Sequence, residues 1–202
     1  MTICPVAQEI EMKVIGFTSN YSDREGAPQC YLMADSSILY TGRPFFLPDY
    51  AQRFVAVPTI VVRTGRLGKC IAPKFAHRYW DAFTAAFTVQ AVGSDDNRLT
   101  GLDRAFDGAL IVGDWVENHG DITALDARVQ LLVNGEQAAC CCLHDMRHPL
   151  AELLAAVSTR CSIKMGDLLV TGDAGPARPL APGDRLTGVV DGVPVLDVKV
   201  RL

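Results

Sequence analysis

No run of about 18 consecutive apolar residues occurs in this 202-residue chain, so the sequence offers no membrane-spanning helix. The apolar piece near the start, Ile3 to Ala7, contains Pro5 and lacks a basic flank, which argues against a secretory signal. Cations are outnumbered: 19 Lys and Arg face 23 Asp and Glu, giving a net charge of −4 with no basic stripe. That balance argues against a nucleic-acid footprint and makes the cluster from Arg63 to Lys69 a solvated turn. Paired cysteines are lacking too. The seven thiols (Cys4, Cys30, Cys70, Cys140, Cys141, Cys142, Cys161) are odd in number and irregular in spacing, and fit neither a disulfide framework nor a zinc-ligand pattern. They read as small hydrophobes in a reducing cytosol, so a cytoplasmic protein without membrane or nucleic-acid partners is expected. Within the triplet, strand alternation puts Cys140 and Cys142 on one face and Cys141 on the other.

What is present suits an ordinary folded domain: 49% hydrophobic and 21% charged residues can bury a sizeable core. Residues 1–11 read as an N-terminal extension and 12–202 as one domain, with Met12 an alternative start because Lys13 to Phe17 is the first strand-like run. The chain is organised around Val55 to Val92. Val55 to Arg63 is β-branched and nearly continuous, as in a strand buried on both faces. Thr64 to Lys69 turns, Pro73 opens a short amphipathic helix over Lys74 to Phe83, and Ala85 to Val92 returns as a strand.

Elsewhere, Cys30 to Ala34 suits a strand, and Ser37 to Leu47 reads as a hairpin about Thr41-Gly42-Arg43. Gly93 to Arg104 is the most polar window and reads as a mobile surface loop. Ala127 to Val133 and Gln137 to Leu143 form a hairpin about Asn134-Gly-Glu136. Pro149 to Thr159 is a helix with Leu150, Leu153, Leu154 and Val157 on one face. Strands follow at Ile163 to Thr171, Leu186 to Val190 and Val193 to Val200, with a Pro- and Gly-rich stretch at Pro176 to Asp184. Many short strands, two or three helices and no βαβ alternation predict a β-rich α+β domain.

Several short motifs run in order: Pro44-Phe-Phe-Leu-Pro-Asp49, Arg66-Leu-Gly-Lys69, Phe75-Ala-His-Arg-Tyr79, Phe106-Asp-Gly108, Gly113-Asp-Trp115, Asn134-Gly-Glu136, Gly166-Asp-Leu-Leu169, Thr171-Gly172 and Pro182-Gly-Asp184. Together they resemble the catalytic domain of the fumarylacetoacetate hydrolase family over roughly Met12 to Leu202. The resemblance implies a mixed β-sandwich roll, usually dimeric, acting on carbon–carbon bonds of β-diketo and related acids or decarboxylating oxaloacetate-like acids. It further implies a divalent metal, usually magnesium, held by three carboxylates of a Glu-x-Glu strand and a later Asp. Such a hard cation takes oxygen ligands and acts as a Lewis acid. A His and Glu activating water, a Lys, and a Thr-Gly-Thr-Pro loop that holds substrate complete the family site.

Carried over by position, the resemblance puts the Glu-x-Glu pair on Val57 and Thr59 and the metal Asp on Thr88. Glu25 keeps the place of the family's acid, the preceding His is Ser22, and the Lys matches Arg104. The substrate loop has become Thr171-Gly172-Asp173-Ala174, and the segment from Glu25 to Cys30, a lid in relatives, is shortened. These matches imply that no metal cofactor binds in the family mode. Glu25 is either a leftover catalytic acid or an exposed loop residue, and Asp173 either a new cation- or base-binding carboxylate or an ordinary turn residue. His144 and His148 have metal-pair spacing, but Pro149 breaks the helix that such a pair needs. His77 reads as a packing or hydrogen-bonding residue.

Three functions follow from this. The first is a degenerate family member that binds a small carboxylic acid as a homodimer. The second is an active hydrolase rebuilt around Asp173, Arg104 and Glu25. The third is a structural or heteromeric subunit. Fold alone does not choose between them.

Overall fold

The computed structural model describes residues 12–21, 29–94, 97–118 and 121–202. Along them run β1 (Val14–Phe17), β2 (Cys30–Met33), β3 (Ile38–Tyr40), β4 (Phe45–Phe46), β5 (Ala51–Thr64), β6 (Trp80–Ser94), β7 (Leu110–Val112) and β8 (Val116–Glu117). The second half carries β9 (Val129–Val133), β10 (Glu136–Cys141), α1 (Leu150–Arg160), β11 (Leu168–Val170), β12 (Arg178–Leu180), β13 (Arg185–Val190) and β14 (Val193–Arg201). The larger sheet has the order β2-β1-β11-β5-β6-β7-β3, with β12 continuing beside β5 and β8 beside β6. The smaller has the order β10-β9-β13-β14-β4. Parallel pairs β1/β11, β3/β7 and β4/β14 among antiparallel neighbours make both sheets mixed. This is the β-rich α+β domain that the strand and helix pattern predicts, folded as the mixed sandwich roll that the resemblance implies.

The β5–β6 hairpin is its spine. Alternation sends Ala56, Ile60 and Val62 of β5, and Phe83, Phe87 and Val89 of β6, into the main core. There they meet Leu131, Leu186, Leu196 and Val198 of the smaller sheet and the apolar face of α1, led by Leu150, Leu153, Leu154 and Val157. The sheets touch at Gly188, where a Cβ would stand 2.6 Å from the Ala85 methyl. On the opposite face Val61 and Ala86 join Val14, Leu110, Val112, Leu168 and Val170 in a second cluster. Burial on both faces is why the β5 sequence is a nearly unbroken apolar run.

One irregularity in β5 matters for the site. β12 pairs with Phe54 to Ala56 and β11 with Val61 to Arg63, so the ladder on that side is interrupted between them. Pro58, which has no N–H to donate, sits in the interruption. The chain linking β11 to β12 crosses there, bonding Thr171 N–H to Ile60 O and Ala174 N–H to Pro58 O.

Local signals held where the turn chemistry was explicit. The Asn134-Gly135 turn has φ of +54° and +81°, as a two-residue hairpin turn requires. Three local expectations are corrected. The helix predicted over Lys74 to Phe83 is a 3-10 segment, Pro73–Arg78, and Trp80 already belongs to β6, opposite Thr64. Burying Trp80 and Phe83 against the core outweighs the helical spacing of the aromatics. The predicted hairpin about Gly42 is not one: β3 pairs with β7 and β4 with β14, in different sheets. The strand predicted over Ile163 to Thr171 is confined to Leu168–Val170, with Ile163 in a single bridge to Gly68. The polar window after β6 holds a 3-10 segment, Asn97–Leu102.

Candidate functional site

The loop after β11 is held from several sides. Gly172 has φ +134°, and a Cβ there would lie 2.6 Å from Asn20 Cβ, so backbone and neighbour both call for glycine. Asn20 is fully buried: its Nδ2 donates to Thr171 O at 3.0 Å and His148 O at 3.2 Å, and its Oδ1 accepts His148 N–H at 2.9 Å. Thr171 Oγ1 donates to Ile60 O at 2.8 Å, which leaves it to accept from the Tyr21 hydroxyl at 2.9 Å. Thr59 Oγ1 donates to Gly172 O at 2.7 Å. Asp173 is held loosely, its Oδ2 accepting Ser19 N–H at 3.4 Å.

Beside this loop lies a cavity of about 430 Å³, lined by Ser19, Tyr21, Val57, Gln90, Arg104 and Asp173 together with residues 174–177. Other cavities of about 460 and 550 Å³ exist, so size does not single this one out; the lining does. Val57 is a neutral apolar part of the wall, 7% exposed. Arg104 places its guanidinium 5.4 Å from the centre of the Tyr31 ring. That ring occupies the space a side chain at position 16 would need: a Cβ on Gly16 would fall 2.1 Å from Tyr31 Cζ. Burial pushes the Tyr31 hydroxyl up to about 12, opposed by the Arg104 guanidinium and reinforced by Asp173. Burial likewise raises Tyr21 well above the usual phenol range, with the cysteine and Asp145 side chains adding to it. Both phenols are neutral donors at physiological pH.

The positions picked from sequence come together. Val57 stands directly opposite Thr88 across the β5–β6 pair, and Thr59 follows two residues on, opposite Ala86, on the same face. Val57, Arg104 and Asp173 line the cavity, while Thr171 and Gly172 form the backbone that positions Asp173. Glu25 and Ser22 lie outside the described residues. His77 is exposed rather than packed, and His144 and His148 do not face each other: His144 Nδ1 is 2.5 Å from Asp126 Oδ1, and His148 Nδ1 is 3.4 Å from Glu152. Cys141 is buried and Cys140 and Cys142 half-buried, as strand alternation predicts. Sequence reasoning did not pick Asn20, Tyr21, Tyr31 or Gln90. Gln90 carried a usable signal, since alternation puts it on the face of Thr88; the others had none.

Among the described residues, no group of three or more His, Cys, Asp or Glu is placed to hold a metal ion. At the three positions singled out, Val57 has no donor atom, the Thr59 hydroxyl is committed to Gly172 O, and Thr88 is neutral. This set does not fit a hard divalent cation, which needs several anionic oxygens.

A mixed sandwich roll, with its cavity where a loop crosses the broken edge of the central hairpin, defines the class of protein. The family model described as the fumarylacetoacetate hydrolase C-terminal domain matches residues 4–201, and the chain belongs to that family. An uncharacterised protein of Pyrococcus abyssi (strain GE5 / Orsay) is 22% identical over 201 residues, covering 93% of this chain and 89% of that protein. Oxaloacetate tautomerase YcgM of Escherichia coli (strain K12) is 34% identical over 92 residues, 44% of this chain and 41% of that enzyme. The crystal structure of fumarylpyruvate hydrolase from Pseudomonas aeruginosa, in complex with Mn2+ and pyruvate, shares the fold with a TM-score of 0.82 at 18% identity, over 95% of this chain and 90% of that one.

Proposed function

We propose that this family member binds a small carboxylic acid in the cavity beside Asp173 and does not carry out metal-dependent carbon–carbon chemistry. The observation that carries the reading is the cluster of Val57, Thr59 and Thr88, adjacent in the β5–β6 register; these are the positions onto which the resemblance carries the family's three metal carboxylates. The Pseudomonas hydrolase was solved with Mn2+ and pyruvate. An ion in that place here would meet an aliphatic side chain and two neutral hydroxyls, too few charges to offset its dehydration. Arg104, placed over the Tyr31 ring, supplies the positive group for a carboxylate, and Tyr21 lines the same cavity.

Calorimetric titration with Mg2+ and Mn2+, followed by a turnover screen on oxaloacetate and acylpyruvates, tests the reading. No metal binding and no turnover are expected, with acid binding lost in Arg104→Gln. Micromolar metal affinity accompanied by turnover overturns it. A homodimer is part of the same proposal, and sedimentation equilibrium on the purified chain decides that part.

One observation favours a second reading: the cavity is open, with Arg104 and Asp173 on its wall, where a purely structural subunit would fill it. In that reading the same residues support hydrolysis of a β-diketo or 2-oxo acid without the metal. Turnover that persists in chelator selects it.

A further inference from the structure

We propose that the acid bound in this cavity is dipolar, carrying a protonated amine together with its carboxylate. The inference rests on the reading above, in which Arg104 receives the carboxylate. Among the described residues on the wall, the charged side chains are one cation, Arg104, and one anion, Asp173; Ser19, Tyr21, Val57 and Gln90 are neutral. The two charges do not cancel each other. Arg104 is stacked over Tyr31, Asp173 has only the long bond from Ser19 N–H, and no ion pair joins Asp173 to a cation among the described residues. The Tyr31 hydroxyl under Arg104, pushed up to about 12, stays neutral at physiological pH.

A wall with separated opposite charges selects its ligand by sign at both ends. A dianionic acid with one carboxylate on Arg104 would bring the other against Asp173, where like charges in a partly desolvated cavity repel. An ammonium in the same place gains charge-assisted hydrogen bonds to the free Asp173 oxygen. Val57 and Ala174 give the intervening methylene groups an apolar surface. Discrimination thus comes from a repulsive element as much as from an attractive one.

The test titrates the full-length protein with glycine, β-alanine, 4-aminobutyrate and 5-aminopentanoate, with the matching acids that lack the amine, and with succinate. At least one amino acid should bind about tenfold tighter than its amine-free counterpart, the scale of one such contact. Asp173→Asn, which keeps an oxygen to accept Ser19 N–H and so keeps the loop, should erase the difference; a thermal melt confirms that the variant folds. Arg104→Gln should weaken amino acid and plain acid alike. Equal binding of the two series, tighter binding of succinate, or a preference that survives Asp173→Asn overturns the inference while the acid-binding reading stands. Failure of every acid to bind removes that reading, and the inference with it.

Discussion

Two aspartates six positions apart flank β11, and they live in opposite circumstances. Asp167 is fully buried and engaged through both oxygens: Oδ1 accepts Lys13 N–H at 2.8 Å, while Oδ2 accepts Lys164 N–H at 2.7 Å and the Lys13 ammonium at 2.6 Å. Asp173 is half-buried and keeps one long bond. A fully buried carboxylate with both oxygens engaged locks two chain segments together and is not presented to a ligand. One left mostly unengaged, on the wall of a cavity, is held in place by its loop instead.

The largest effect comes from adding carboxylates at the positions onto which the resemblance carries the family's metal ligands. Val57→Glu, Thr59→Glu and Thr88→Asp together bury three unpaired anions, each costing several kcal/mol. The triple variant should be grossly destabilised in urea and regain stability with Mg2+ or Mn2+; indifference to metal would mean that the matched positions are wrong. Next, Asp167→Ala should cost about 1–3 kcal/mol, because it leaves the Lys13 and Lys164 N–H groups without their acceptor, while the part-exposed Lys13 ammonium can turn to water. Asp173→Ala should stay within about 0.5 kcal/mol, the usual range away from saturated networks. Equal urea midpoints for these two would dissolve the contrast.

Gly172→Ala should cost about 1–3 kcal/mol, from its positive φ and the collision with Asn20. Weakened acid binding in that variant would show that the loop orders Asp173. The smallest effect belongs to the exposed Arg185–Asp197 pair. Arg185 holds the Asp197 carboxyl below its usual range, so its contribution is complete above the ordinary Asp pKa and fades as pH falls through the lowered one. Asp197→Asn should slightly flatten the loss of stability as pH falls below the ordinary Asp range, and salt should shrink the difference.

How far the sequence reveals this molecule depends on the range of the interaction. The Asn134-Gly135 turn and the face of α1 are local facts, and both are readable. The closeness of Val57 and Thr88 was readable as well, because two strand-like runs lie on either side of one turn; the choice of those two positions came from the resemblance, counted from Arg66 to Lys69 and Phe75 to Tyr79. The destinations of β3 and β4 were not, since their partners lie in β7 and β14. Phe75, Tyr79 and Phe83 mimic a helical period, yet the last is a strand residue whose partner is Val62. Asn20 had no signal at all: its bonds reach residues 128 and 151 positions away, and a polar residue in a turn-rich stretch looks the same whether buried or solvated.

Those long reaches also set the order in which the molecule can be assembled. β1 is sandwiched between β2 and β11, and Lys13 meets Asp167 across 154 positions. On a ribosome the β5–β6 hairpin can close early, but β1 and β2 must wait with an unpaired edge until β11 emerges. Asn20 waits with them for His148 and Thr171. The cavity beside Asp173, although part of its wall is laid down by the middle of the chain, is therefore among the last features to form, and a polypeptide halted before residue 171 has a central hairpin without that cavity.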